Sequence, residues 1–207
     1  MRIRPLRLLA LALPALLAGS ATAQSADAVA QRLSRQYQAV RSLQADFTQV
    51  LGGQTLRGTI SVSGDAFRIQ LPDQTLVSDG ATLWSYSSED NQVVVQDYRP
   101  QDMGFSVGQL LTDWTRQFRV TGASRATVGG VAHDVLALVP REAGSSVRDA
   151  TLYVRSSDAV PARLRVHDVN GHTLAFDLRN VRLNGRLPSG TFSFRAPAGA
   201  EVVDLRS

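Results

Sequence analysis

Ile60-Ser61-Val62-Ser63-Gly64-Asp65-Ala66-Phe67-Arg68-Ile69-Gln70-Leu71 reads as a β-hairpin. Ile60 and Val62 before the Gly64-Asp65 turn signal, and Phe67, Ile69 and Leu71 after it, recur at every second position, so each arm turns one apolar face to one side. The same pattern runs outward from it. Gly52-Gly53 precedes the hairpin, and Pro72-Asp73, Asp79-Gly80, Asp90-Asn91, Gly129-Gly130, Asn170-Gly171 and Asn184-Gly185 follow, each flanked by β-branched or aromatic residues. Trp84 with Tyr86, and Leu174 with Phe176 and Leu178, alternate in the same way. The spacing predicts an antiparallel meander of about ten strands, and no strand-helix-strand rhythm supports a parallel α/β sheet.

Two segments follow a helical period instead. Val29, Leu33, Tyr37 and Val40 fall on one face between Asp27 and Ser42. Between a strand at Val93 to Asp97 and another starting at Phe118, residues Val107, Leu110, Leu111 and Trp114 form one apolar face of a short helix that Ser106 is placed to cap. A long twisted antiparallel sheet curls, and two amphipathic helices suit its concave side. The expected fold is therefore mainly β with a few helices: an unclosed, strongly curved, barrel-like antiparallel sheet under a helical lid.

The N-terminus predicts export. Arg2, Arg4 and Arg7 precede an apolar run from Leu8 to Ala18, and Ala21-Thr22-Ala23 supplies a small-x-small cleavage site before Gln24. The run is too short for a permanent membrane anchor, so residues 1–23 read as a removed signal peptide and 24–207 as one domain. The chain has no cysteine, hence no disulfide and no thiol for lipid attachment. Its formal charge of +4 is mostly signal peptide: three of the 22 basic residues lie there, leaving 19 against 18 acidic ones. Every basic residue is an arginine and none forms a run, which argues against nucleic-acid or anionic-membrane binding.

Catalytic constellations are poorly supported. Gly104-Phe105-Ser106-Val107-Gly108 matches the pattern of a serine-hydrolase nucleophile elbow, but that motif acts at a strand-to-helix turn above a parallel sheet. His133-Asp134, His167-Asp168 and His172 lack metal-ligand spacing and read as turn and surface residues. Asp79, Glu89, Asp90 and Asp97 lie at hairpin turns, where carboxylates are ordinary turn formers. No enzyme activity, metal or cofactor is expected. What remains is apolar surface, which either packs as a plain core or leaves a partly unfilled interior for an apolar ligand.

Leu43-Gln44-Ala45-Asp46-Phe47-Thr48-Gln49 after an N-terminal helix, followed by Leu76-Val77-Ser78-Asp79-Gly80-Ala81-Thr82-Leu83-Trp84-Ser85-Tyr86, resembles the outer-membrane lipoprotein carrier protein (LolA) family. Asp168-Val169-Asn170-Gly171-His172 and Thr191-Phe192-Ser193-Phe194-Arg195-Ala196-Pro197 are similar to its C-terminal half. The resemblance implies a monomeric periplasmic chaperone of two-membraned cells that shields the acyl chains of lipoproteins. It implies three partners: acylated lipoproteins, an inner-membrane ABC-type release complex and, in some bacteria, an outer-membrane receptor. On that reading Phe47, Ile60, Val62, Phe67, Ile69, Leu71, Trp84 and Tyr86 line the acyl-chain cavity, and Leu33, Tyr37, Leu110, Leu111 and Trp114 form the lid. Many members end the second strand in an Arg-Pro pair whose arginine latches the lid. Here that place reads Val62-Ser63-Gly64-Asp65, and Arg57 and Arg68 lie off the motif. The alternative reading is a related curved-sheet domain for another lipid or glycolipid, or an envelope lipoprotein sensor.

Overall fold

The computed structural model describes residues 26–51, 54–99, 111–112 and 114–206. After helix α1 (Ala26–Tyr37) the chain forms β1 (Ser42–Leu51), β2 (Gln54–Ser63), β3 (Ala66–Gln70), β4 (Gln74–Ser78), β5 (Thr82–Ser87) and β6 (Gln92–Asp97). A short helix α2 (Trp114–Gln117), with 111 and 112 also helical, leads into β7 (Phe118–Val128) and β8 (Val131–Pro140). β9 (Val147–Arg155), β10 (Pro161–Asp168), β11 (Thr173–Leu183) and β12 (Glu201–Asp204) complete the chain.

All twelve strands join one sheet in the order β12-β6-β5-β4-β3-β2-β1-β11-β10-β9-β8-β7. The two meanders, β1 to β6 and β7 to β11, are fused where β1 pairs antiparallel with β11, Phe47 opposite Leu178. A register shift between Gln44 and Asp46 puts an irregularity there, which bends and twists a strand locally. The end strands β12 and β7 do not pair with each other, so the strongly curved sheet stays open.

The predicted meander is thus correct in kind and short by two strands. It also departs at β12, which pairs parallel with β6, Val202 opposite Val93. The reason is the segment after β11: the chain passes over the sheet before returning, so it meets β6 from the same end at which β6 begins.

One apolar cluster lies on the inner face. It joins Leu43, Ala45 and Phe47 of β1, Ile60 and Val62 of β2, Phe67 and Leu83 from one meander and Leu136, Leu152, Leu164 and Phe176 from the other. Val29, Leu33 and Tyr37 of α1 belong to the same cluster, as do Leu111 and Trp114. A helix of twelve residues is marginal alone in water, so this burial is what keeps α1 formed.

The outer face of β3 to β6 is covered too, by the C-terminal segment. Val77, Val93 and Val95 are buried yet lie outside the inner cluster. Their register places Val77 opposite Trp84, and Trp84 opposite Val95. Phe194 packs against Tyr86 with ring centroids 6.2 Å apart. Arg68, opposite Val77, donates from Nε to the carbonyl of Thr191 and from Nη2 to that of Ser193, each at 2.7 Å. This residue straps the C-terminal segment down.

Among the described glycines, Gly58 is the most tightly enclosed. A Cβ there would lie 2.3 Å from the carbonyl oxygen of Gln70 and 2.8 Å from the Phe47 ring, with which Gly58 is in register. Gly58→Ala is expected to shift β3 or displace the ring, lowering stability by about 1–3 kcal/mol, as overpacking does. Chemical denaturation followed by circular dichroism measures it, and an unchanged midpoint would refute the tight packing.

Candidate functional site

The inner face is lined with aromatic contacts. Phe47 meets Phe176 edge-on at 6.1 Å, Phe67 meets Tyr98 at 5.5 Å, and Tyr37 of α1 meets Trp114 of α2 at 5.8 Å. The last contact ties the two covering helices to each other. Tyr37 and Trp114 are buried, yet the Tyr37 hydroxyl and the Trp114 indole nitrogen have no hydrogen-bond partner among the described residues. Burial, with Asp158 adding to it, pushes the Tyr37 phenol well above the usual tyrosine range, so it stays a neutral donor.

Of the residues expected to line a cavity, Phe47, Ile60, Val62 and Phe67 lie in the inner cluster, and Ile69 and Leu71 pack half-buried against it. Of those expected in the lid, Leu33, Tyr37, Leu111 and Trp114 lie in the cluster, with Leu111 at 0 % exposure. Leu110 and the Gly104 to Gly108 motif with Ser106 lie outside the described residues.

Trp84 and Tyr86 are a correction. They face the opposite side of the sheet, where Trp84 lines a hollow of about 390 Å³ with Pro188, Phe192 and Phe194, and Tyr86 carries Phe194. Leu83 is the residue of β5 that points inward. Alternation fixes that residues 84 and 86 share a face but not which face, and both faces of β5 are covered.

A second correction concerns the histidine pairs. His133 and Asp134 are neither turn nor surface residues: both are in β8, at 4 % and 0 % exposure. The Asp134 carboxylate accepts from Nη2 of Arg32 on α1, and Arg125 Nε lies 3.5 Å from its other oxygen. That second contact is an attraction between charges without hydrogen-bond geometry, since Oδ1 has no hydrogen-bond donor among the described residues. His133 Nδ1 lies 2.9 Å from the Val131 carbonyl oxygen.

The other two histidines pair with carboxylates of the sheet surface, His167 with Asp149 at 2.5 Å and His172 with Asp168 at 2.9 Å. Among the described residues no three His, Asp or Glu side chains gather as a metal site. Asp79 is the turn former expected, its Oδ1 accepting from the backbone N–H groups of Ala81 and Thr82. Burial opposes its ionisation, but those donors outweigh it and hold the carboxyl below its usual range.

Arg32 and Asp134 were not anticipated as a pair. The sequence offered only an arginine on the polar side of an amphipathic helix and an aspartate after a histidine, 102 residues apart. Gly58, Phe176 and Leu178 were likewise absent from the expected lining, although the last two alternate visibly.

Above the inner cluster a cleft of about 680 Å³ opens between the C-terminal end of α1, the Gly64-Asp65 turn and α2. Tyr37 reaches both: it belongs to the cluster and lines the cleft. An apolar layer of this kind beneath a cleft suits a hydrophobic ligand and offers no arrangement of nucleophile, base and oxyanion donors among the described residues.

The family description "Outer membrane lipoprotein carrier protein LolA" matches residues 38–195. The chain belongs to this family. The match takes in β1 to β11 and most of the C-terminal strap, and starts just past α1.

An outer-membrane lipoprotein carrier protein of Halorhodospira halophila is 30 % identical over 192 residues, covering 84 % of this chain and 85 % of that one. One from Alkalilimnicola ehrlichii is 30 % identical over 186 residues, covering 83 % and 82 %. An uncharacterised conserved protein of Thermus thermophilus, solved as a crystal structure, superposes with a TM-score of 0.56 over 85 % of this chain and 99 % of that one; at 19 % identity it shows the shared fold alone.

Since the Arg32–Asp134 pair joins α1 to the sheet, removing Arg32 leaves the buried Asp134 carboxylate with only its longer contact to Arg125. Arg32→Met is expected to lower stability by about 2–4 kcal/mol, at the lower end because Arg32 keeps some solvent contact, whereas Arg32→Met with Asp134→Leu recovers most of that loss. A double-mutant cycle on unfolding free energies measures this. Additive effects would show that the pair does not fasten the helix.

Proposed function

We propose that the mature chain is a periplasmic carrier that hides the acyl chains of lipoproteins between the inner sheet face and the two helices while they travel from the inner to the outer membrane. The single observation behind this is the inner cluster: one continuous apolar layer shared by sheet and helices, beneath a cleft, in a chain of the lipoprotein carrier family. Its lining is Phe47, Ile60, Val62, Phe67, Ile69 and Leu71 with Phe176 and Leu178, and its cover is Leu33, Tyr37, Leu111 and Trp114.

Leaving one sixteen-carbon chain in water costs about 12 kcal/mol at about 0.8 kcal/mol per methylene, so cargo of this kind does not cross an aqueous space unescorted. In this structure the cover residues are packed onto the sheet. Cargo therefore binds an opened form, in which α1 and α2 part from the inner face and acyl chains replace their side chains. The reading places acceptance at an ABC-type release complex and delivery at an outer-membrane receptor or directly at the membrane. It also takes residues 1–23 as a signal peptide, which Edman sequencing of the exported protein tests by its first residue, Gln24.

The deciding experiment adds purified residues 24–207 to spheroplasts carrying labelled lipoproteins. The expected result is soluble acylated lipoprotein bound one-to-one. Ile69→Glu puts a charge at a half-buried lining position, and it is expected to cut release at least tenfold in a variant that circular dichroism shows to be folded. Full release by that variant would remove this part of the sheet from the site. Extractable lipid without polypeptide, from a well-folded wild type, would replace the carrier reading with a lipid shuttle.

A further inference from the structure

The hollow on the outer face has a chemistry of its own. Trp84 of β5 and Phe192 and Phe194 of the strap supply aromatic surface, and Asp79 adds a carboxylate to the wall. The strap is held in shape there. Two tight turns follow one another, closed by the N–H of Thr191 on the Pro188 carbonyl at 3.2 Å and that of Ser193 on the Gly190 carbonyl at 3.1 Å. Arg68 grips the carbonyls of Thr191 and Ser193 from the sheet. At about 390 Å³ the hollow falls within the range of small-molecule sites, about 300–1,000 Å³, and walls fixed in this way lose little freedom on taking a ligand.

The polar side-chain atoms around those rings are acceptors. The Thr191 and Ser193 hydroxyls have given their only hydrogens to the Pro188 and Gly190 carbonyls, at 2.7 and 3.0 Å, which leaves their lone pairs. Asp79 spends Oδ1 on the N–H groups of Ala81 and Thr82, and its Oδ2 has no hydrogen-bond partner among the described residues. A ligand carrying hydroxyl donors is matched here, whereas an ester or an anion, which only accepts, is not. The charges point the same way. Asp79 contributes a negative charge and Arg68, bound to the strap that forms the wall, a positive one, so a ligand of either net charge meets a like charge as well as an opposite one.

We infer that this hollow is a saccharide-binding site that seats a neutral pyranose ring. One face of such a ring is a layer of C–H bonds, slightly positive, which lies well on the negative face of an aromatic side chain. Its edge is a row of hydroxyls that donate to Asp79, Thr191 and Ser193. The site lies across the sheet from the inner cluster and does not depend on the carrier reading. A saccharide held there leaves the inner face and its two helices untouched.

The test titrates isotope-labelled mature chain with three neutral oligosaccharides, maltotriose, cellotriose and triacetylchitotriose, and follows the indole N–H signals of the two tryptophans by nuclear magnetic resonance. Trp84 lines the hollow and Trp114 lies in the inner cluster, so one reports on the site and the other is the control. The expected result is a saturable shift at Trp84 with at least one of the three and none at Trp114; the sugar that binds tells a glucan from an N-acetylated glycan as the source of the ring. Asp79→Asn keeps an oxygen for the Ala81 and Thr82 N–H groups but replaces the free acceptor by a donor, and Phe192→Ala removes an aromatic wall. Each is expected to weaken that saccharide by about fivefold or more in isothermal titration calorimetry, the scale of one lost hydrogen bond or ring contact, in a protein whose circular dichroism is unchanged.

No shift at Trp84 with any of the three, or a shift at Trp114 in its place, would overturn the inference. Affinity unaltered in both variants would do the same. A stronger response of Trp84 to N-acetyl-lysine amide than to the saccharides would overturn it in favour of a basic side chain of a partner protein.

Discussion

The inner face of the sheet presents Leu43, Phe47, Val62, Leu136, Leu164 and Phe176 in a layer that water cannot be allowed to meet, and the chain covers it with two short helices. Neither helix is held by its own sequence. α1 has twelve residues, too few to persist without the surface it lies on. Sheet and helices therefore stabilise one another, and the contact is reinforced where α1 meets β8 through Arg32 and Asp134 and where α1 meets α2 through Tyr37 and Trp114. Burying Val29, Leu33 and Tyr37 contributes about 1.5–3 kcal/mol each by transfer, so the cover is fastened by an amount that a strong apolar ligand can exceed.

The outer face follows a different logic. There the C-terminal strap is held by hydrogen bonds from Arg68 to two backbone carbonyls, by the Tyr86–Phe194 contact, and by parallel pairing of β12 with β6. This covering satisfies backbone groups of the strap directly and protects an end of the sheet that would otherwise be an exposed edge. Asn91 adds to it, its Nδ2 donating to the Gly199 carbonyl at 2.9 Å. The two faces thus have covers of opposite character: the inner one fastened mostly by apolar burial, the outer one by main-chain hydrogen bonds.

That contrast explains how far the sequence could be read. Hairpins such as Ile60 to Leu71 were legible because turn residues and alternation are local signals, and the α1 face was legible for the same reason. Alternation says which residues go together and is silent about which face they choose. Ile60, Val62, Phe67 and Ile69 share the inner face, while Trp84 and Tyr86 lie on the other side because β5 is covered on both faces. The Arg32–Asp134 pair and the Arg68 clamp were illegible for a stronger reason. Each joins residues more than a hundred positions apart, and a charged side chain on a helix or strand carries no mark of the partner that folding will bring to it. Family resemblance supplied the architecture but not these, since α1 lies outside the family match and the expected arginine latch has no counterpart in the sequence.

On the carrier reading, a packed interior is an advantage. A permanently open apolar cavity would expose a large patch to the periplasm and invite association with any hydrophobic partner. Here Leu111, Trp114 and Leu33 fill the space themselves, so only a ligand that gains more than the cover loses can enter. Three sixteen-carbon chains offer on the order of 36 kcal/mol of gross transfer energy, several times the cover's burial, before the costs of ordering the chains and displacing the helices are subtracted. A single small apolar molecule offers far less than the cover does. The strength of the cover therefore acts as a filter on the size of the apolar ligand, admitting multiply acylated cargo and excluding lesser competitors, and it draws the net affinity down toward a range from which the cargo can be released.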